Sequence, residues 1–373
     1  MDQVALNWLI LEMTNSPLYL GLLNLFRAVP MFLLTLLAGV VVDRMERRRL
    51  LMISQGAAMV LAFVLAVLVS SGAVQVWHIF VIGTLRGAIM SFNAPARQTL
   101  ISDLVPRNDL ANAVAINSAT MNLTRVLGPT LGGLLIAGVG ISSPFYLNGL
   151  SFLAVLYTLH VMEMPAMMAK SKPAAVWQEM WEGLTYIRGN PVILALVLIA
   201  VVPMFLGQPY QAMLTVFARD VLDIGPVGLG ILTSASAVGS VSGALLLASL
   251  GDFRHKGALM LWAMLGFGAV LLFFSLSPWP LTSILLVVVV GAMGTIYNVS
   301  NWTVLQMRSP DNLRGRLLST LFLSRALVPL GTAMAGALAT VIGAPWAMGT
   351  MGALVAAFAI VIWVSVPNLV SLD

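Results

Sequence analysis

The feature that most constrains this chain is the recurrence, from end to end, of long apolar runs separated by short polar breaks. A run of about twenty residues, rising about 1.5 Å per residue as a helix, crosses a hydrocarbon layer about 30 Å thick. Only helices and closed barrels satisfy their own backbone in such a layer. The break at Gly39 to Arg49, G-V-V-V-D-R-M-E-R-R-R, shows the pattern plainly, with Leu18 to Val42 before it and Leu50 to Val69 after it. Composition extends the reading to the whole chain. Hydrophobic residues make up 60% and charged residues 9%, where soluble domains carry about 25% charged residues, so an ordinary soluble enzyme is excluded.

A net charge of +5 and a pI of 9.9 would suit nucleic acid, but the charges sit in alternate loops and not on one basic face with interleaved aromatics. With no cysteine, disulfides, thiol catalysis and thiolate metal sites are excluded. His78, His160 and His255 lie far apart, without metal-ligand spacing. No nucleotide-binding loop G-x-x-x-x-G-K-[ST] is present, which removes direct ATP drive, and no clustered carboxylates suggest an enzyme. No cleavable leader is expected, since Asp2 follows Met1 where a basic region would stand.

Taken in order, the expected segments are Val4 to Met13, too short to span alone, then Leu18 to Val42, Leu50 to Val69, Val76 to Pro95, Ala113 to Val139 and Phe145 to Val161. A hydrophilic connector follows, in which Trp177, Met180, Trp181, Leu184 and Ile187 share one helical face opposite charge, as in a helix lying in the membrane interface. Six further segments are Val192 to Phe217, Val227 to Leu250, Ala258 to Leu276, Leu281 to Val304, Leu317 to Ile342 and Trp346 to Val366. The expected domains are an N-terminal six-helix half over 1–163, a connector over 164–190 and a C-terminal half over 191–373.

The halves are related to each other. At an offset of 209, Pro17 meets Pro226, Gly21 meets Gly230 and Asp43 meets Asp252; at an offset of 200, Thr120, Leu123, Arg125, Leu127 and Pro129 meet Thr320, Leu323, Arg325, Leu327 and Pro329. Arg and Pro at one spacing inside apolar helices are hard to obtain by chance, so the chain reads as tandem repeats of the same topology. Subtracting 209 from Val192 puts the start of the first segment about eighteen residues before Met1. The expectation is a first helix truncated at its N-terminus, through a start assigned too late or a shortened form. Of the 19 Lys and Arg, fourteen fall in or beside the even-to-odd connections and only Arg219 in an opposite loop. That asymmetry places those loops, the connector and the C-terminus in the cytoplasm.

Four arginines remain inside spans: Arg27, Arg86, Arg125 and Arg325. Each costs about 2.5–3.5 kcal/mol on insertion scales and is kept only where it has a partner or faces water. Pro30, Pro129 and Pro329 follow Arg27, Arg125 and Arg325 by three or four residues, so backbone carbonyls freed near a proline are one set of partners. A cavity with surplus positive charge is the other reading; it would favour anionic or phenolic ligands. Arg86 has no such proline.

At this point the residues resemble the major facilitator superfamily. Gly39, Asp43, Arg44, Arg47 and Arg48 are similar to its signature loop G-x-x-x-D-R-x-G-R-R, with Glu46 where a glycine is usual. Arg86 resembles the fourth-helix arginine linked there to proton movement, and Gly128, Pro129, Gly132 and Gly133 match the G-P-x-x-G-G ending of the exporters' fifth-helix motif. Thr120 and Thr124 stand in place of that motif's upstream glycines. A-L-N-W-L, R-A-V-P, N-A-P-A-R-Q, D-L-V-P-R-N-D-L and the connector's E-G-L-x-Y-I-R-G-N-P resemble the enterobactin-exporter and macrolide-efflux branch.

The resemblance implies an all-α membrane protein of twelve transmembrane helices in two six-helix halves, multi-pass in the bacterial inner membrane. It implies export of a small organic molecule by alternating access in exchange for protons, with no cofactor. The expected partners are that substrate and the lipid bilayer, with no nucleic acid and the chain a monomer. The gating loop would comprise Gly39, Asp43, Arg44, Arg47, Arg48 and Arg97, with Asp252 its repeat counterpart. Asp43 would accept from the helix start near Arg314 to Leu317 or pair with Arg97. Gly128, Gly132 and Gly133 permit close helix approach. By superfamily analogy the cavity would present Asn7, Trp8, Asn93, Gln208, Tyr210, Gln211, Tyr297, Asn301 and Trp302. Asp2 aligns by the repeat with Gln211 and is, with Arg86, the candidate for proton coupling. A solute uptake carrier of the same fold and a non-transporting scaffold or sensor remain open.

Overall fold

The structure, a computed structural model, describes residues 1–106, 108–162, 189–251, 255–309 and 324–369; of residues 35–44, 94–95, 98–99, 101–103 and 368 only the backbone is described. Among these residues every regular element is a helix. Helices α1 (Asp2–Thr14), α2 (Pro17–Arg44), α3 (Arg47–Ser70), α4 (Val76–Leu104), α5 (Leu110–Gly138) and α6 (Ser143–Val161) make the first six segments. The seventh is α7 (Pro191–Leu206) and α8 (Tyr210–Val216), which runs on as a π-helical turn over Phe217–Val221. Then come α9 (Gly225–Ser249), α10 (Lys256–Leu276), α11 (Pro280–Arg308), α12 (Leu327–Ile342) and α13 (Ala344–Ser365).

Two compact units divide the chain, Met1–Lys172 with Gly225–Gly230, and Pro173–Ile224 with Ile231–Asp373. The connector's amphipathic stretch lies outside the described residues, as do Asp252, the segment 310–323 and the side chains of Gly39, Asp43 and Arg44.

Eight helices among the described residues are long and apolar enough to cross a membrane, and half or less of each apolar window is buried. The rest is a coat of exposed Leu, Val, Ile and Phe, with Val341 82% and Leu33 71% exposed, which only a lipid solvent tolerates on this scale. Trp77, Trp279 and Trp346, at or beside the starts of α4, α11 and α13, are all more than half exposed, as interfacial anchors are.

Three local expectations change. The basic hairpin shrinks to Met45 and Glu46, because α2 runs to Arg44 and α3 begins at Arg47; arginine is a good helix former, so a charged stretch need not be a loop. Helix α4 passes Pro95 and ends at Leu104, which takes Arg97 into the helix. The seventh segment is broken: Pro209 supplies no N–H, and the amides of Gly207 and Gln208 both donate to the Pro203 carbonyl, at 2.8 and 2.9 Å.

Within the first unit α2 packs along α4 and α3 along α6, while α1 touches α2, α4, α5 and α6. In the second, α10 packs on α11 and α13, and α12 and α13 on α7. Glycines set the closest crossings. A β-carbon on Gly87 would collide with the carbonyl oxygen of Arg27, and one on Gly291 with that of Ser236. Arg27 and Ser236 are 209 apart and Gly87 and Gly291 are 204 apart, so the repeat read from identities is also a repeat of packing.

Candidate functional site

The first unit carries a buried charge cluster. Arg86, in the middle of α4, is 9% exposed and its Nη1 donates to Oδ2 of Asp2 at the start of α1. The pair leaves two atoms buried without a partner, Asp2 Oδ1 and Arg86 Nη2. Arg27 of α2 lies within electrostatic range of both. Two guanidinium groups thus face one carboxylate, a net positive charge held where desolvation is costly. The Gly87 crossing holds α4 against the Arg27 backbone and so fixes this arrangement. Helix α5 completes it: a β-carbon on Gly128 or Gly132 would lie 3.5 or 3.0 Å from Met1, while Gly133 is buried and Pro129 lies inside the helix.

In the second unit, at the break between α7 and α8, Phe267 of α10 stands between Tyr210 and Tyr297, with ring centroids 6.2 and 5.5 Å away. The Tyr210 hydroxyl shares a 2.6 Å hydrogen bond with Ser236. Tyr297 and Asn301, one turn apart on α11, are buried, and among the described residues the Tyr297 hydroxyl and Asn301 Oδ1 make no hydrogen bond of good geometry. Gln208 and Asn298 stand within reach of the Tyr297 hydroxyl. The phenol hydroxyl can donate or accept, and the amide oxygen can accept. Because Ser236 holds the buried Tyr210 hydroxyl, Ser236→Ala is expected to lower stability by about 1 kcal/mol, read as a fall in melting temperature in detergent.

The other expected residues divide. Asn93 donates to Ser54 of α3 at 3.3 Å and is a helix-to-helix tie in this structure. Asn7 and Trp8 are buried on α1, Gln211 is exposed and Trp302 is half-buried. Arg48 donates to the carbonyl of His160 in the last turn of α6, where a cation meets the helix dipole. Arg97 is exposed and points Nη2 at the sulfur of Met121, 3.6 Å away. Arg47 is half-buried. Among the described residues neither Arg27 nor Arg125 donates to a backbone carbonyl. His78 is a capping residue, its Nδ1 accepting from the Gln75 amide at 3.0 Å. No group of three or more His, Cys, Asp or Glu among the described residues could hold a metal ion.

Ser236, Ser54 and Phe267 went unnoticed in the sequence. Ser236 had a signal, since the 209 offset sets it against Arg27. Phe267 had none, being one phenylalanine among many on an apolar helix.

Twelve helical segments among the described residues, in two sequence-related sets, coated for lipid and carrying ionised groups inside, define a polytopic membrane transporter. Solved structures share the fold. The nucleoside transporter NupG aligns with a TM-score of 0.70 at 14% identity, covering 100% of this chain and 97% of that one. An inward-facing, unoccupied bacterial homolog of the human lysosomal transporter Spinster aligns with a TM-score of 0.72 at 15% identity, covering 99% and 94%. Residues 1–373 match the family described as transmembrane secretion effector, and the chain belongs to that family of the major facilitator superfamily. Relatives include the staphyloferrin A transporter of Staphylococcus aureus, 26% identical over 94% of this chain and 88% of its own length. The multidrug efflux pump Tap of Mycolicibacterium fortuitum is 30% identical over 91% and 85%, and macrolide efflux protein A of Streptococcus pyogenes is 23% identical over 96% and 90%.

Proposed function

We propose that this chain exports a small organic molecule by alternating access in exchange for protons, with Asp2 as the proton acceptor and Arg86 as its partner. The observation that carries the proposal is the interior ion pair. While Asp2 is ionised it offsets Arg86; once it takes a proton, Arg86 and Arg27 stand as cations without a counter-ion among the described residues, in a medium of low dielectric. A proton that changes the charge balance at a crossing of three helices favours one conformer over another by its difference in binding energy, and that difference is what coupling requires. The outward direction is supported by the family description and by relatives named for efflux. The open hydroxyl of Tyr297 and the amide of Asn301, beside Phe267, suit the polar and aromatic parts of such a molecule.

In this reading the two six-helix halves, 1–163 and 191–373, are joined by a cytoplasmic connector over 164–190. The monomer sits in the bacterial inner membrane with its C-terminus inside, and Asp43, in the last turn of α2, latches the cytoplasmic side. The test uses everted vesicles energised to an acid interior and challenged with catechols, macrolides and lipophilic cations. The expected result is uptake of one compound together with proton release from the lumen. Vesicles that hold folded protein and accumulate a compound with no proton movement would overturn the coupling.

A further inference from the structure

The break between α7 and α8 frees backbone oxygens in the middle of a spanning segment. An unbroken helix would give the carbonyls of Met204, Phe205 and Leu206 to the amides four residues on. Pro209 has no N–H. The Gln208 amide turns instead to the Pro203 carbonyl, at 2.9 Å, and the Tyr210 amide to the Gly207 carbonyl, at 3.1 Å. Among the described residues no backbone amide reaches those three oxygens. They stand near the centre of the apolar span Pro191–Val221, where non-helical backbone persists only if protein or water covers it. Gly331 of α12 covers the Phe205 carbonyl. The end of α7 also brings the negative pole of a helix dipole to this depth.

The facing side chains belong to α11, which packs against α7 within the second unit. These are the seventh and tenth segments, and successive spans alternate in direction, so the two helices are antiparallel. Gln208 stands within reach of the Tyr297 hydroxyl. One turn back along α7 is Met204, and one turn on along α11 is Asn301; antiparallel packing sets these two level as well. Asn301 is 3% exposed, and its Oδ1 makes no hydrogen bond of good geometry among the described residues. The surroundings admit only something small. Tyr297 and Phe267 are fully buried, and a β-carbon on Gly207 would collide with the Phe267 ring.

We infer that the α7 break is a monovalent-cation site, with sodium held by the Met204 carbonyl, Asn301 Oδ1, the Tyr297 hydroxyl and Oε1 of Gln208. Hard cations take oxygen ligands, and unwound carbonyls at the ends of half-helices are where broken transporter helices hold sodium. A neutral set of oxygens at a helix C-terminus suits a single charge; a divalent ion would need carboxylates. A water would bring two protons to four oxygens, which leaves the set short of donors. The inference goes beyond the export reading. It gives the second half an ion of its own, and it makes sodium and the polar group of the carried molecule alternate occupants of Tyr297 and Asn301.

Binding is read on the purified full chain in detergent, with radiolabelled sodium and with melting temperature in sodium chloride against choline chloride at equal ionic strength. Sodium is expected to bind saturably and to raise the melting temperature, and Asn301→Leu to weaken its binding by about tenfold. Leucine has the shape of asparagine and removes a buried oxygen, so this variant is expected to fold. Tyr297→Phe is expected to weaken sodium in the same direction, and Gly138→Ala, remote from the break, to leave it unchanged. If sodium and choline are indistinguishable, a buried water serves these oxygens and the inference fails. If Asn301→Leu binds sodium as the unaltered chain does, the ion sits elsewhere and the inference fails again. Sodium binding by a chain that moves no compound in vesicles would sink the export reading and leave the site standing; export by a chain that binds no sodium would do the reverse.

Discussion

Asp2→Asn is expected to abolish proton-coupled flux and to lower stability by about 3 kcal/mol, because it leaves Arg86 buried and charged with no carboxylate among the described residues to offset it. The pairing of variants separates the two effects. Arg86→Gln alone removes a cation and leaves Asp2 beside Arg27, the milder defect, since a carboxylate and a guanidinium remain near each other. Asp2→Asn with Arg86→Gln removes both charges and is expected to recover most of the stability while flux stays lost. A melting temperature in detergent reads the first quantity and proton release from everted vesicles the second. Asp2→Asn with unimpaired proton-coupled flux would remove Asp2 from the mechanism, and a double variant destabilised by the sum of the two single changes would mean that the charges act independently.

Gly87→Val and Gly291→Val are each expected to cost more than about 3 kcal/mol, so that little folded protein elutes as a single species on size exclusion. Overpacking a core usually costs about 1–3 kcal/mol, but here the colliding atoms are the carbonyl oxygens of Arg27 and Ser236. Backbone cannot swing aside as a side chain can, so the helices must part. Alanine at either position would already collide, and valine adds two methyl groups. Gly138→Ala is the control: nothing lies within 4 Å of a β-carbon there, and its melting temperature should hold. A folded, stable Gly87→Val protein would show that the α2–α4 crossing is looser than described.

How much of this was legible beforehand depended on which physical rule each residue obeyed. Lengths of apolar runs located every described segment, since spanning a bilayer leaves few alternatives to a helix of about twenty residues. Boundaries were missed where charge was taken for loop: Arg47 to Arg49 continue a helix, and α4 carries Arg97 past a proline. The broken seventh segment was foreshadowed by Pro203 and Pro209, but a proline inside a membrane helix can bend it or break it, and only the amide partners of Gly207 and Gln208 distinguish the two. Asp2 and Arg86 could be singled out because ionised groups are rare in spans. That they pair with each other depends on how α1 meets α4, which no local pattern encodes. Asn93 and Tyr297 looked alike in sequence, a polar residue on an apolar helix, yet one found Ser54 and the other makes no hydrogen bond of good geometry among the described residues. That difference belongs to the neighbouring helix in each case.

The twin glycine crossings bear on how such a carrier could change its chemistry over evolutionary time. At each crossing the glycine meets a neighbour's carbonyl, an atom that every amino acid presents in the same place. The residue that owns the carbonyl is therefore free to vary, and it has varied: arginine at 27 in one half, serine at 236 in the other. After a duplication, a charge could be gained or lost at that position in one copy alone without moving the helices. An architecture of equal halves could in this way acquire an asymmetric interior, one half ionic and the other neutral, through substitutions that the fold does not oppose.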